Sequence, residues 1–106
     1  MTVYLKRSKN NISAVGEYDP VTKGLTVLKG STVSADIAYT GMFRGAKTIE
    51  KHRAAVVRNC VVTENITFKS SSTAANFVTG SSTNGLVAWK DKDGRTLKEI
   101  ISEVGE

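Results

Sequence analysis

One stretch, residues 12–29, constrains the fold of this chain more than any other, because its side chains alternate and a turn interrupts it. Small or apolar residues occupy every second position of the first half: Ile12, Ala14, Gly16 and Tyr18. Asp19-Pro20 with Gly24 is typical of a turn, since proline presets φ and glycine accepts positive φ. The apolar segment 25–29 follows and ends at Gly30-Ser31. The pattern predicts a hairpin that pairs 12–18 with 25–29.

The remaining segments predict further strands and helices. Weak alternation predicts an edge strand over 2–6, and the apolar residues of 32–39 extend the sheet. Thr96 and Glu99 have the spacing of a capping box, and the apolar residues after them follow a helical period. The other predicted strands are 61–63, 66–68 and 86–90, and the other predicted helices are 46–58 and 71–79. We therefore expect a single α+β domain over residues 1–106, with a mixed or mainly antiparallel sheet and two or three helices packed on it.

Composition indicates a small globular protein. Hydrophobic residues make up 40% of the 106 positions and charged residues 24%, which is ordinary for a folded domain. No apolar run approaches the roughly 20 residues of a membrane-spanning helix, and the N-terminus does not resemble a signal peptide. We expect a cytoplasmic protein with no membrane partner. The lone Cys60 stands beside Val61 and Val62, so we expect it to be a buried small hydrophobic residue.

The search for catalytic chemistry is negative. The chain has no nucleophile elbow, Walker loop or dinucleotide-binding glycine motif. His52 is the single histidine, and with one cysteine it cannot complete a structural zinc site. Asp91 and Asp93 flank a turn but lack the further acids of a calcium loop. We expect no enzymatic activity and no cofactor.

The charge favours an anionic partner. The net charge is +5, from 15 Lys and Arg against 10 Asp and Glu. At about 100° per residue, Lys47, Lys51 and Arg58 stack on one face of the predicted helix, with Arg44 close by. Such a stripe predicts contacts to a phosphate backbone; the alternative is an ordinary solvated helix face. Arg53 lies nearer the apolar arc of the same helix.

The stretch from Phe68 to Trp89 holds a second candidate site. The hydroxyl-rich helix start Ser70–Thr73, with Lys69 beside it, suits an anion because unpaired N–H groups and the helix dipole point there. The alternative is simple N-capping, for which one such residue suffices. The Asn84-Gly85 turn becomes part of a ligand site only if it lies beside this helix start.

These residues define a predicted polar pocket, lined by Ser71, Ser72, Thr73 and Asn84. Arg53 either points its planar guanidinium into that pocket or pairs with an acid such as Asp36 or Glu64.

Aromatic side chains offer a third possibility, because they stack on bases in single-strand binders. The candidates are Tyr18, Tyr39, Phe43 and Trp89. For Trp89 we expect a core position instead, which is the more usual place for a lone tryptophan on a predicted strand.

The same residues carry a family resemblance that spans about Gly16 to Leu97. Its elements are Gly30-Ser31 after an apolar strand, then Phe68, the serine cluster, Ala74-Ala75, Val78, Gly80, Asn84-Gly85, Trp89, Gly94 and Leu97. The chain resembles a small uncharacterised domain family found at the C-terminus of bacterial GIY-YIG nucleases and restriction-associated proteins, similar to RAMA domains. It departs from that pattern at the serine cluster, where relatives often have a proline.

The resemblance implies a non-enzymatic accessory module that binds DNA in a restriction-modification context, with a nuclease or methylase, or a second copy, as protein partner. Phosphate contacts are then expected from the basic residues Arg44, Lys47, Lys51, Arg58 and Lys69. One alternative is a protein-interaction or homo-oligomerisation module whose edge strand 2–6 pairs between chains. Another is a small-anion or ligand sensor centred on Ser70–Thr73.

Overall fold

A computed structural model describes residues 1–8, 11–37 and 46–104, except the side chains of residues 103 and 104. In chain order its elements are β1 (Thr2–Arg7), β2 (Ile12–Tyr18), β3 (Leu25–Val27), α1 (Ala46–Val56), β4 (Val57–Arg58), β5 (Val61–Val62), β6 (Ile66–Phe68), α2 (Ser71–Thr79), α3 (Gly85–Ala88) and α4 (Leu97–Val104).

The main sheet has the antiparallel order β1-β2-β3-β6. The predicted hairpin is confirmed, with Gly16 opposite Val27 and Tyr18 opposite Leu25, although β3 stops at Val27 instead of residue 29. The alternation of β2 has the expected cause, because its small and apolar side chains face the core and its polar ones face solvent. The edge strand is also confirmed and is one residue longer than predicted.

The turn between β2 and β3 differs from the prediction in one respect. The left-handed residue is Lys23, with φ of 65°, and not Gly24. Gly24 is suited to its position because a Cβ there would lie 3.0 Å from the carbonyl oxygen of Phe68. Asp19 holds the turn by accepting hydrogen bonds at Oδ1 from the Val21 N–H and at its carbonyl oxygen from the Lys23 N–H.

A small sheet, β4-β5, stands beside the main one. Its two-residue turn, Asn59-Cys60, has positive φ at both positions, as a tight hairpin turn requires. The predicted strand 32–39 is wrong over the residues that the structure describes, 32–37. Only Thr32 among them forms bridges, to Ser13 and to Val61, and so it links the two sheets.

Helix α2 confirms its predicted bounds and lies against the main sheet. Ser70 caps its start by accepting a hydrogen bond from the Thr73 N–H, and Gly80 ends it in the left-handed conformation. α1 is shorter than predicted because residues 57–58 enter β4. α4 confirms the capping box, since the Glu99 N–H donates to Thr96 Oγ1.

The predicted strand 86–90 is wrong, because most of this segment is the short helix α3. Asn84 is its N-cap and accepts a hydrogen bond from the Leu86 N–H. A short apolar run such as Leu-Val-Ala-Trp fits a strand or a buried helical turn equally well, so periodicity could not separate them. Lys90 alone keeps a β-type contact, bridging Tyr4 and Thr96.

Trp89 lies at the centre of the core and is fully buried, as predicted. Its indole Nε1–H donates to the carbonyl oxygen of Ser71, 3.1 Å away. On the sheet side, a Cβ at Gly16 would lie 3.3 Å from the indole, so this glycine lets the large ring approach β2 closely.

The α+β class is therefore confirmed, with four helices and two sheets in the part of the chain that the structure describes. In that same part, no helix is both long and apolar enough to cross a membrane.

Gly85 supplies the sharpest test of this packing. A Cβ at this position would lie 2.2 Å from the carbonyl carbon of Ser71, so Gly85→Ala must separate α3 from the start of α2. We expect it to lower the free energy of unfolding by at least about 3 kcal/mol, measured by urea denaturation. Gly94→Ala is the matched control: Gly94 has φ of 85° but open space around it, so only the left-handed cost of about 1 kcal/mol applies. Equal losses in the two variants would contradict this packing.

Candidate functional site

Arg53 is buried, as its place on the helix wheel suggested, with 9% of its surface exposed. Its guanidinium donates to carbonyl oxygens at the C-terminal end of α2, from Nε to Phe77 at 3.0 Å and from Nη2 to Val78 at 3.2 Å. It also donates to Ser34, through Nη1 to the carbonyl oxygen and through Nη2 to Oγ. A cation at this end of a helix is favoured because its last carbonyls carry partial negative charge. Arg53 thus joins α1, the segment after Val33 and α2.

The predicted polar pocket is therefore not brought together around Arg53. Ser71, Ser72 and Thr73 begin α2, whereas Arg53 binds its other end, roughly 12 Å away along a nine-residue helix. The structure does bring Asn84-Gly85 beside the helix start, since the Gly85 N–H donates to Ser72 Oγ at 3.0 Å.

The polar groups of the helix start make intramolecular bonds. Ser70 Oγ accepts from the Thr73 N–H and lies 2.9 Å from Thr73 Oγ1. The Ser71 carbonyl binds the Trp89 indole, and the Ser72 hydroxyl holds the first residue of α3. The hydroxyls of Ser70, Ser72 and Thr73 therefore have structural uses, whereas Ser71 contributes its backbone carbonyl.

The basic stripe on α1 is solvent-exposed at Lys47, Lys51 and Arg58. Arg58, in β4, folds back toward the end of α1, where Nη1 donates to the carbonyl oxygens of Ala54 and of the neighbouring Val57. Glu50 shares a shallow depression with the two lysines and dilutes their positive charge. Arg44 lies outside the described residues.

Lys69 is exposed and follows Phe68, the last residue of β6. The Phe68 ring contacts His52 of α1, with ring centroids 5.3 Å apart. The backbone at Lys69 therefore lies on the α1 side of the domain.

A different surface forms a second basic site, and it is concave. β1 and the segment after α3 are joined by two hydrogen bonds, from the Tyr4 N–H to the Lys90 carbonyl at 2.7 Å and from the Lys90 N–H to the Tyr4 carbonyl at 2.9 Å. Around this junction lies a groove of about 950 Å³, which we call the β1–α3 groove. It is lined by Tyr4, Leu5, Lys6, Arg7, Ser82, Thr83, Asn84, Val87, Ala88, Lys90, Asp91, Lys92 and Gly94.

The groove is basic. Four of its described lining residues are cationic, Lys6, Arg7, Lys90 and Lys92, against one acid, Asp91. Asp91 is engaged: its carboxylate accepts hydrogen bonds from the backbone N–H groups of Asp93 and Arg95 and from Arg95 Nε, at 2.9 Å each. The bond from the Arg95 N–H, helped by the Arg95 side chain, holds the pKa of Asp91 below its usual range. The Asp91 carboxylate therefore stabilises the turn that carries Lys92.

The groove also has an apolar part. Val87 of α3 is 50% exposed, and Leu86 beside it is 37% exposed. The Tyr4 ring is half-buried, with Lys6 Nζ 5.6 Å from its centroid. Apolar and cationic groups therefore stand side by side in the same concave surface.

The edge of β1 adds backbone groups to this surface. Tyr4 turns its N–H and C=O away from β2 to reach Lys90. The N–H and C=O groups of successive residues in a strand point to opposite sides, so those of Lys6, two residues after Tyr4, also point away from β2. The groove thus presents main-chain hydrogen-bonding groups beside its charged side chains.

The two basic surfaces lie at opposite edges of the main sheet. β1 forms one edge and β6, next to α1, forms the other. Three strand spacings of about 4.8 Å separate these edges by roughly 14 Å. The α1 stripe and the β1–α3 groove are therefore separate surfaces.

Sequence reasoning identified Asn84 but missed the other groove residues, because they come from two segments more than 70 positions apart. The sequence pattern places Lys6 at the end of an edge strand, and Asp91 and Asp93 at a turn. The signal that unites them is the Tyr4–Lys90 bridge, and no local pattern reveals such a long-range pairing.

The fold and the groove define a small α+β domain with a basic, partly apolar surface cleft. No group of three or more His, Cys, Asp and Glu side chains within the described residues is placed to hold a metal ion. Residues 3–101 match the model of a family described as a domain of unknown function, DUF4357, and the chain belongs to that family. This confirms membership in an uncharacterised domain family. No curated protein and no solved structure matches the chain.

The role of Arg53 is tested by Arg53→Lys, which keeps the charge but removes the planar fork. We expect the free energy of unfolding to fall by about 2–4 kcal/mol, because one ammonium group cannot reach all the buried carbonyls that the planar guanidinium binds. Arg58→Lys, at an exposed position just after the same helix, is the control and should change stability by less than about 0.5 kcal/mol. Chemical denaturation measures both, and a neutral Arg53→Lys would show that the buried fork is dispensable.

Proposed function

We propose that this domain is a non-enzymatic nucleic-acid-binding accessory module and that the β1–α3 groove holds the phosphate backbone. The observation that carries the proposal is the convergence of Lys6, Arg7, Lys90 and Lys92 around one concave surface. The acid that lies among them is already bound to Arg95. An anion entering the groove therefore meets cations without an opposing free carboxylate from Asp91.

The chemistry follows from the charges. Lysine and arginine side chains bind phosphates and release the counterions condensed on the nucleic acid, which makes the affinity fall steeply with salt. These contacts place the strand without reading its sequence. Asn84, exposed at the rim, has an amide that suits a hydrogen bond to a base or sugar.

The resemblance described above supports the same direction. Domains at the C-terminus of nucleases and restriction-associated proteins act next to nucleic acid, so we propose DNA as the ligand and a nuclease or methylase as the protein partner. The α1 stripe, with Lys47 and Lys51 exposed, would then be a secondary surface for the same polyanion or for that partner.

Fluorescence anisotropy with labelled DNA tests the proposal. Between about 50 and 200 mM salt, four phosphate contacts should weaken binding by about 50- to 150-fold. The groove variant Lys6→Glu/Lys90→Glu/Lys92→Glu should lose binding at every salt concentration, because repulsion replaces three attractive contacts.

The matched control is Lys47→Glu/Lys51→Glu/Arg58→Glu, which also reverses three exposed charges, on the basic stripe, and should retain most of the affinity. Equal loss of affinity in both variants would show that the groove contributes only through the overall positive charge of the protein and is not a specific binding site. Loss of affinity in the α1 variant alone would show that the nucleic acid binds the α1 stripe and not the groove. Absence of binding by the folded wild-type protein at low salt would overturn the proposed function.

A further inference from the structure

We infer that the β1–α3 groove takes single-stranded nucleic acid in preference to a duplex; this inference rests on the proposed function. The first argument is the shape of the site. The groove is a depression between β1, α3 and the turn 90–94. Proteins that read a duplex place a helix or a β-ribbon into the major groove, which is about 12 Å wide. α3, at four residues, is too short for that.

The second argument is the mixture of surfaces. A duplex turns sugars and phosphates outward and keeps the faces of its bases stacked inside, so an apolar wall beside the cations has nothing to bind. A single strand offers each base as a flat apolar face. Val87, half exposed, and the Tyr4 ring supply such a wall next to Lys6.

The third argument is the spacing between charge and ring. Lys6 Nζ lies 5.6 Å from the Tyr4 centroid. The ammonium lies over the face of the ring, so a base of the same or the next nucleotide stacks on Tyr4 as Lys6 moves from the ring to the bound phosphate. The backbone N–H and C=O of Lys6, which point away from β2, can form hydrogen bonds with the edge of an unpaired base.

The test compares one labelled sequence of about 10 nucleotides as a single strand and as a duplex, by anisotropy at about 50 mM salt. Wild-type protein should bind the single strand at least about tenfold more tightly. Tyr4→Leu should weaken single-strand binding by about tenfold, since base stacking on an aromatic ring is worth about 1–3 kcal/mol. Tyr4→Phe keeps the ring and should keep the affinity. Thermal unfolding of each variant checks that the fold is retained.

Salt dependence adds an independent readout. Tyr4→Leu removes no charge, so it should lower the affinity and leave the slope against salt unchanged. Lys6→Gln with Lys90→Gln should reduce that slope. Duplex binding as tight as single-strand binding, or unchanged affinity in Tyr4→Leu, would overturn the single-strand inference while the proposed function stands. Failure to bind either form would overturn both.

Discussion

The rest of the structure depends on the burial of Trp89. The Trp89 indole packs against the sheet at Gly16, and its N–H donates to the Ser71 carbonyl at the start of α2. The Trp89 backbone carbonyl accepts a hydrogen bond from the Leu97 N–H at the start of α4. A tryptophan buries its large apolar surface stably only when its N–H also finds a partner. Because Lys90 is the next residue, fixing Trp89 also fixes the bridge to Tyr4 on β1. The core contact and the groove are thus set by neighbouring residues of one segment.

Arg53 shows that positive charge in this chain has two different uses. It belongs by sequence to the most basic stretch, yet it is buried and holds the C-terminal carbonyls of α2. Arg58 also donates to a carbonyl of α1, that of Ala54. The net charge of the stretch therefore overstates what α1 can offer to a ligand. The cations of the groove come instead from segments that look unremarkable in the sequence, a strand end and a turn.

Much of the fold could be predicted because its signals are local. The alternation of β2, the cap and stop of α2 and the capping box of α4 each lie within about ten residues. The strand predicted for 86–90 failed because a four-residue apolar run has no period of its own, and only the close approach of Gly85 to Ser71 shows why a helix forms there. The groove could not be predicted, since it requires the pairing of Tyr4 with Lys90. Helical periodicity also predicted that Arg53 lies toward the core, but it could not predict which groups the guanidinium would bind.

The most direct measurement of the central claim is a titration of ¹⁵N-labelled protein with a single-stranded oligothymidylate, followed by amide chemical shifts. If the single strand binds in the β1–α3 groove, the shifts concentrate at residues 4–7, 82–88 and 90–94, and those of α1 stay nearly unchanged. Shifts confined to 47–58, or a spectrum unaffected by saturating oligonucleotide, would contradict it.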